Sequence, residues 1–478
     1  IYATVDSSPR VRAIYERNFK QWLLRSGRNA TMQNRKHLRE MFLLETYEKG
    51  YRELAEFFQN AGLKVPITDQ NFWTRIPLTV MRSKYHFTDH HFYWSHPVYL
   101  GGYRPPMNIA SFDAVERFAG GLGGLFSSRI YGKPFSVSEW NHCVPSSFSM
   151  QGVFLMSAYA GYQNWDSLNR FAYSHSAGRI RSPRENAAFD LTGNPVRMLS
   201  ERVGVCFFLR GDVRPAGVQY PVLVHENPWK NGTESVYPIA IQKLGFVGGI
   251  GSLMAGDRGP NRLPAGTKAL LYLEKKGIAE SSVPLFRAGK ADLYRAMLER
   301  KVLSESDFSL KQNSFRSDTG EIFLESGKKR FSVINYRSEG FLIGEGGTGK
   351  GKLVCVDNRK AYAGFLFASV DGNSLKESNR ILILHLTDCK NSGMTFRNSE
   401  MSLLEDWGKL PLLIRRGRAD VTVYRDLSGF SLYALDSCGK RMDLLEMKHA
   451  GRESRFSLQT DRKGSAVIAY ELIRAESR

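Results

Sequence analysis

The stretch from Pro134 to His142 reads PFSVSEWNH and decides how the first half of the chain is interpreted. Its apolar start predicts a buried strand, and Glu139 lies where that strand ends, directly before Trp140 and Asn141. In parallel α/β folds, ligands and catalytic groups gather at the carboxyl ends of the strands. Glu139 is therefore a candidate catalytic carboxylate, with Trp140 and Asn141 as candidate substrate-binding side chains. A carboxylate that only caps the next helix is the alternative.

A histidine-rich stretch lies upstream, where Tyr85 to Pro97 reads YHFTDHHFYWSHP. On a strand, Asp89, His91 and Tyr93 would point to the same face, because successive side chains alternate. Imidazole and carboxylate groups at short range suit zinc or iron, but no second motif such as HExxH completes a metal site. We therefore expect these three side chains to hydrogen-bond a sugar or a neighbouring carboxylate, without a metal.

Two further segments combine an apolar run with polar and aromatic side chains at its end. Leu63 to Asn71 predicts a short strand after a helix, and it ends in Asn71 with Trp73 close behind. Farther along, the apolar run before Tyr162 is followed by Gln163, Trp165 and Asp166. A packed core segment is the alternative there, because tryptophan fills cores more often than it binds ligands. Four such strand ends in chain order predict a shared binding edge.

Hydrophobic periodicity divides the chain into parts. Helices are predicted at Val11–Leu24 and His37–Gly62, and their alternation with strand-like runs is typical of a mainly parallel sheet covered by helices. From Ser309 onward, strand-like runs recur about every ten residues, which predicts an antiparallel β-sandwich. The fold class is therefore α/β plus all-β, with domains at 1–215, 216–308 and 309–478, the middle one a mixed connecting region.

Further elements are expected within the first two parts. They are strands at Tyr85–Tyr93, Pro134–Trp140, Pro221–Val224 and Ala269–Leu273, and helices at Ala110–Phe118, Phe189–Leu209 and Ala291–Glu299. The apolar segment Met150–Ala160 fits either type of element, because a fully buried strand and a buried helix both lack polar positions.

The order of KVPITDQNFW, DHHFYWSHP, KPFSVSEWNH and a last apolar segment with YQNWD resembles the clan A glycoside hydrolases. These (β/α)8 enzymes include family 42 β-galactosidases and cellulase-like proteins. The resemblance covers about residues 11 to 215 and implies the C-terminal half of a TIM barrel, strands five to eight. Its SEW motif implies that Glu139 is the nucleophile of a retaining glycosidase. It also implies that His91 and Tyr93 contact Glu139 and that Trp165 is a sugar platform. The C-terminal part resembles accessory domains that follow such barrels.

The general acid/base of that clan has no counterpart in the matched segment. In the clan it is a Glu preceded by Asn at the end of the fourth strand, and no Asn-Glu pair precedes the helix near Val11. We expect this residue to lie upstream of Ile1, so that the chain is a fragment. Retaining hydrolysis uses two carboxyl groups about 5 Å apart, and Asp89 and Asp166 are the internal substitutes, although both are better suited to bind hydroxyl groups. The alternative function is a carbohydrate-binding relic without turnover.

The net charge of the chain does not decide which kind of partner it binds. Across 478 residues, 67 Lys and Arg outnumber 47 Asp and Glu, which gives a net charge of +20 and makes nucleic acid, anionic lipid or an acidic polymer worth weighing. Within GRIRSPRE, residues 178–185, Arg181 and its neighbouring arginines could hold sulfate or uronate groups, whereas a solvated loop is the alternative. We expect a carbohydrate partner, neutral or acidic, and no nucleic acid. A basic protein that binds nucleic acid or acidic polymers is the remaining hypothesis.

Several other classes of function are excluded or disfavoured by missing motifs. No apolar run reaches the roughly 18 residues of a membrane span. The five cysteines are odd in number and widely spaced, so they predict neither a disulfide framework nor a paired zinc site. GEGGTGKGK at 344–352 has Gly351 where a phosphate loop needs Ser or Thr, so no cofactor is expected. Export to the periplasm or the medium is expected from the substrate class alone.

Overall fold

The computed structural model describes residues 8–225, 236–256, 262–273 and 281–475. Helices and short parallel sheets make up the first part of the chain, and antiparallel strands make up the last part. This confirms the coarse expectation of α/β structure followed by β structure. No helix within the described ranges is long and apolar enough to cross a membrane.

The described ranges contain eight α-helices: α1 (Pro9–Ser26), α2 (Arg35–Asn60), α3 (Ile76–Arg82), α4 (Gln151–Tyr162), α5 (Ala177–Ile180), α6 (Pro195–Gly204), α7 (Ile239–Leu244) and α8 (Leu293–Glu299). Turns of 3-10 or π type cover Phe118–Ser128, Val205–Leu209 and Ser326–Lys328. The two long N-terminal helices confirm the sequence expectation. α1 starts where the Ser8 side chain accepts a hydrogen bond from the backbone N–H of Val11 at 3.4 Å, and it ends at Gly27 in the left-handed conformation.

Nine strands lie in the first two parts of the chain: β1 (Thr88–Tyr93), β2 (Val98–Tyr99), β3 (Met107–Asn108), β4 (Phe135–Asn141), β5 (Ser167–Arg170), β6 (Gln219–His225), β7 (Gly249–Ala255), β8 (Leu270–Tyr272) and β9 (Leu285–Arg287). The remaining strands are β10 (Phe308–Ser309), β11 (Ser314–Arg316), β12 (Ile322–Glu325), β13 (Arg330–Ile334), β14 (Ser338–Ile343), β15 (Thr348–Lys350), β16 (Val354–Lys360), β17 (Ala363–Ser369), β18 (Arg380–Leu386), β19 (Cys389–Ser392), β20 (Thr395–Phe396), β21 (Leu403–Asp406), β22 (Lys409–Ile414), β23 (Arg418–Val423), β24 (Phe430–Leu435), β25 (Arg441–Leu445), β26 (Lys448–Ala450), β27 (Glu453–Gln459), β28 (Asp461–Arg462), β29 (Ser465–Ala466) and β30 (Ala469–Arg474).

A three-stranded parallel sheet with the order β1-β4-β5 carries the residues of interest. The segment Leu63–Asn71, which was predicted to be a strand, is not one and does not pair as part of this sheet. Instead this segment runs beside β1, where the backbone N–H of His91 donates to the Asn71 carbonyl at 2.8 Å and that of His86 donates to the Ile67 carbonyl at 3.1 Å. Two of the four expected barrel strands, those at Tyr85–Tyr93 and Pro134–Trp140, therefore form regular pairs, and the third strand of this sheet, β5, was not predicted.

A second parallel sheet, with the order β7-β6-β8-β9, follows in the connecting region. Its strands and α8 confirm the elements expected near Pro221, Ala269 and Ala291. Among the described residues two isolated bridges, Ile130 to Ser252 and Arg75 to Val236, join this part to the chain before β4. The strands thus form two small parallel sheets, and a continuous half barrel is not evident.

Two predicted helices change in the structure, and one open choice between strand and helix is resolved. Met150–Ala160 is helix α4, buried on every side, so its uniform hydrophobicity could not distinguish it from a strand. The helix predicted from Phe189 starts only at Pro195, because the Asn194 side chain caps it by accepting from the backbone N–H of Arg197 at 3.0 Å. Ala110–Phe118 forms turns instead of an α-helix.

Antiparallel strands of the last part form a ten-stranded and a five-stranded sheet. Apolar side chains from both sheets pack into one core, among them Phe341, Phe365, Val421 and Phe456. The opposite face of the ten-stranded sheet packs on the helices of the first part, where Leu342 and Leu366 join the main core. The central strands β14 and β17 are buried along their whole length as a result.

Glycines allow the helices to approach this sheet closely. A Cβ atom at Gly340 would lie 2.6 Å from the Phe207 ring, and one at Gly364 would lie 3.0 Å from the Phe154 ring. Neither glycine has a left-handed backbone, so close packing, and not chain conformation, requires them.

Replacing Gly340 by Ala should lower the free energy of unfolding by about 1–3 kcal/mol, because the added methyl group overpacks the contact with Phe207. Urea titration measures the change. Gly429→Ala is the control, since open space surrounds that position, and equal stability of both variants would contradict this account.

Candidate active site

Glu139 lies on β4 at its carboxyl end, with about a third of its side chain, 33%, exposed. Its Oε2 accepts a hydrogen bond from the Tyr93 hydroxyl at 2.7 Å. The same oxygen lies 3.3 Å from Nδ1 of His91. Oε1 has no hydrogen-bond partner among the described residues, so one carboxylate oxygen is held and the other is free.

His91 connects Glu139 to a second layer of polar side chains. Its Nε2 lies 2.9 Å from Nδ2 of Asn71 and 3.1 Å from Oγ of Ser138. A ring nitrogen that faces a carboxylate carries the proton, so Nδ1 donates to Glu139 and Nε2 accepts from the Asn71 amide. Asn71 therefore orients the imidazole towards the carboxylate.

Asp89 supports this arrangement from inside the sheet. The backbone N–H of Ser138 donates to its carboxylate at 3.0 Å, and the hydroxyl groups of Ser136 and Ser138 donate to it as well. Asp89 is buried, and these donors offset the cost of burying its charge. Its contacts here are to protein groups.

Tyr93 forms part of an aromatic wall beside the carboxylate. Its ring centroid lies 5.2 Å from that of His96, 5.6 Å from that of Phe189 and 6.4 Å from that of Phe171. Burial and the hydrogen bond to Glu139 raise the pKa of Tyr93 above its ordinary value. The phenol therefore stays protonated at neutral pH and remains a donor to Glu139.

The wall continues through a rim loop after β5. His175 lies 5.2 Å from Phe171 between ring centroids, and its Nδ1 pairs with the buried carboxylate of Asp190. Arg179 approaches the same carboxylate at 3.8 Å. Arg181, the candidate for acidic sugar groups, is exposed on the loop directly after α5.

The C-terminal strands hold this rim loop in place. The Asn391 side chain of β19 donates to the Glu185 carbonyl at 2.8 Å and accepts from the Glu185 backbone N–H at 3.2 Å. Four residues on, the Phe189 carbonyl accepts from Nδ2 of Asn141 at 2.9 Å. The position of the aromatic wall therefore depends on contacts from the last part of the chain.

Trp140 and Asn141 do not face this opening. Trp140 is buried under the Arg170 guanidinium, 4.3 Å above its ring, and Arg170 in turn pairs with Glu201 of α6 at 3.0 Å. Asn141 is buried too, and its Oδ1 accepts from Arg197 at 2.7 Å. Trp73 is 60% exposed and packs edge-on against Phe72, close to Asn71 in the chain.

Gln163, Trp165 and Asp166 lie at the other end of β4. Asp166 accepts from the backbone N–H of Phe135 at 2.9 Å, and Trp165 packs against the Phe135 ring. Gln163 bonds the carbonyls of Gly245 and Gly248. Because Met150–Ala160 is a helix, the YQNWD segment precedes β5 and cannot end it. The structure thus brings Asn71, Asp89, His91, Tyr93 and Glu139 together, but not these three residues.

Sequence reasoning missed the residues that follow the true end of β5. Phe171 and His175 come directly after Arg170, in the segment FAYSH, and this position at a strand end is the signal that could have found them. Phe189 and Asp190 were missed because the sequence predicted that they begin a helix, whereas the helix starts at Pro195. No group of three or more possible metal ligands occurs among the described residues.

Comparison with known proteins identifies no family. No family model matches the chain, and no curated protein matches it. Among solved structures, the rhamnosidase from Novosphingobium sp. PP1Y is similar at 9% identity and a TM-score of 0.28, over 92% of this chain and 40% of the rhamnosidase chain. The chain thus spans less than half of that rhamnosidase, and a likeness at this TM-score carries no argument about activity.

Glu185 makes the anchor of the rim loop sensitive to pH. Burial raises its pKa to about 7, against the opposing effects of Lys390 and Asn194. The folded chain then binds this proton more tightly than the unfolded chain, so stability falls as pH rises from about 4.5 to 7. Glu185→Gln should remove this loss, which is about 3 kcal/mol at most.

Urea unfolding at pH 5 and pH 8 measures this effect as the difference between wild type and variant. The exposed Glu305→Gln is the matched control. A wild type and a Glu185→Gln variant with the same pH dependence would contradict the assignment.

Proposed function

We propose that this protein is a glycoside hydrolase that cleaves O-glycosidic bonds of oligo- or polysaccharides with retention of configuration, using Glu139 as the nucleophile. The observation that carries the proposal is the Glu139 carboxylate, which has Oε2 bonded to Tyr93 and His91 and Oε1 free at the end of a parallel strand. Chemistry in parallel α/β folds collects at such ends, and the resemblance of the SEW motif points to the same residue.

The geometry suits nucleophilic attack on a sugar. Glu139 Oε1 would attack the anomeric carbon while the bond to the leaving oxygen breaks, giving a glycosyl-enzyme ester. Tyr93 and His91 would keep the carboxylate in one orientation by holding Oε2. Water would then attack the same carbon and lose a proton to the solvent, while the bond to Oε1 breaks and the Glu139 carboxylate and the sugar are released.

A proton donor for the leaving oxygen is the second requirement. Two other carboxylates contact this region, and each is held by donors: Asp89 by Ser136 and Ser138, and Asp190 by His175 and Arg179. Neither is free as an acid. This favours, as the second candidate function, carbohydrate binding without turnover of natural substrates.

The sequence holds two basic clusters within the C-terminal part, at residues 328–330 and 415–418, and their ion pairing supports a sugar over nucleic acid as the partner. Lys328 and Arg330 share Glu325, and Lys329 pairs with Glu116 at 3.0 Å. In the second cluster, Arg415 and Arg416 pair with Asp388 and Asp461. Cations that are already paired contribute less to counterion release on a polyanion.

The proposal can be tested without a proton donor. A dinitrophenolate leaves without protonation, so the full chain should form a glycosyl-enzyme from at least one sugar in a panel of dinitrophenyl glycosides. Added azide, which needs no base, should then release a glycosyl azide of retained configuration. Glu139→Gln should reduce dinitrophenolate release by about 10³-fold or more.

A 2-deoxy-2-fluoro glycoside identifies the nucleophile directly. It should leave a sugar covalently bound to Glu139, and peptide mass spectrometry should locate the labelled residue. The matched control is Glu116→Gln, a carboxylate on the surface. Turnover in Glu139→Gln, or labelling at another residue, would refute the assignment. Sugar binding without any labelling would support the second candidate function.

Tyr93→Phe should lower the rate of dinitrophenolate release by about 10- to 100-fold, because it removes one charge-assisted hydrogen bond to Glu139. Single-turnover kinetics on the aryl glycoside measures the change. Tyr424→Phe, on the distant sandwich, serves as the control. Unchanged release in Tyr93→Phe would show that the Oε2 contact does not assist the attack.

A further inference from the structure

A cleft of about 770 Å³ opens between the first part of the chain and the sandwich. We call it the junction cleft. Asp212 and Arg214 line one side, and the other side is lined by the turns and loops next to β14, β16 and β17, including Tyr336, Arg337, Lys352 and Lys376. None of the candidate active-site residues line it. Its volume lies within the usual range of small-ligand sites, and such sites favour junctions between modules.

Tyr336 gives this cleft an open aromatic surface. The side chain is 71% exposed, although its backbone carbonyl is fixed by the N–H of Leu375 at 2.9 Å. An aromatic ring in this state leaves a large apolar area in water. The apolar face of a pyranose ring is a flat surface that can cover it, while its hydroxyl groups point to the sides.

The polar groups around Tyr336 are held rigidly. Arg337 pairs with the buried Asp212 at 2.8 Å and donates to the Arg210 carbonyl at 2.8 Å. Glu339 accepts hydrogen bonds from the three successive backbone N–H groups of residues 352–354. Arg214 pairs with Glu321 at 2.6 Å. Asp212 and Glu339 are buried, so these contacts fix the walls of the cleft, and a rigid wall loses little entropy when a ligand binds.

The charges that line the cleft balance. The carboxylates are Asp212, Glu321, Glu339 and Glu377, and the cations are Arg214, Arg337, Lys352 and Lys376. Four of each sign give no net charge, although the whole chain carries +20. A polyanion needs a surplus of cations, whereas hydroxyl groups bond to donors and acceptors alike.

We propose that the junction cleft is a binding site for a neutral oligosaccharide, with Tyr336 stacked on one pyranose ring and the exposed charged side chains of the lining, Arg214, Lys352, Lys376 and Glu377, bonded to its hydroxyl groups. This site is separate from Glu139 and does not depend on catalysis. A chain with no glycosidase activity would still bind sugar here, so the two proposals can fail independently.

Calorimetric titration of the full chain carrying Glu139→Gln tests the proposal, because that variant should not consume the ligand. The probes are the neutral tetrasaccharides of β-1,4-glucan, β-1,4-galactan and β-1,4-mannan, with tetragalacturonate and a short single-stranded DNA as anionic comparators. At least one neutral tetrasaccharide should bind. Adding Tyr336→Ala should weaken that binding by about ten-fold or more, or reduce the stoichiometry from two to one if the Glu139 site binds as well.

Two further variants separate stacking from folding. Tyr336→Trp should keep the affinity within about three-fold, because it retains an aromatic face. Tyr433→Ala, on β24 of the ten-stranded sheet and outside the lining of the cleft, should leave binding unchanged, and thermal unfolding should show all variants to be folded. Absence of binding to every neutral tetrasaccharide, unchanged binding in Tyr336→Ala, or tighter binding of tetragalacturonate or DNA would overturn the proposal.

Discussion

The parallel pairing of β1 with β4 is the constraint on which the candidate site depends. His90 pairs with Val137, but His91 pairs with Glu139, so the register skips Ser138. Such a bulge changes the alternation of side chains along the strand. As a result Ser136, Ser138 and Glu139 all contact side chains of β1, while Trp140 packs under Arg170 of β5. The backbone N–H of Ser138 loses its place in the ladder, and Asp89 accepts it.

Local sequence patterns predicted much of this region. The period-two spacing of Asp89, His91 and Tyr93 put them on one face, and their contacts to Ser138 and Glu139 agree with that expectation. The bulge itself could not be predicted, because no residue type in this stretch marks its position in the sequence. Gln163 was predicted at the carboxyl end of a strand but lies at the opposite end of the sheet, for a different reason. The helix before it has no polar face, so its sequence shows no helical periodicity and could be taken for a strand.

Apart from the contacts of His91 and Tyr93 with Glu139, which the resemblance implied, contacts between distant segments could not be read from the sequence. Asn71 meets His91 across 20 positions, and Asn391 meets Glu185 across 206. The aromatic wall likewise joins Tyr93 to Phe171 and Phe189. Each pair forms only because the sheet and the rim loop bring the segments together. The candidate carboxylate and its partners His91 and Tyr93 were therefore visible in the sequence, but the aromatic residues that enclose it were not.

The ten-stranded sheet has a consequence for how the molecule unfolds. β14 and β17 are covered by helices on one face and by the second sheet on the other. Neither layer can detach without exposing a row of apolar side chains to water. The helical layer and the sandwich should therefore melt in one cooperative step, and the amide protons of β14 and β17 should exchange with solvent only through global opening.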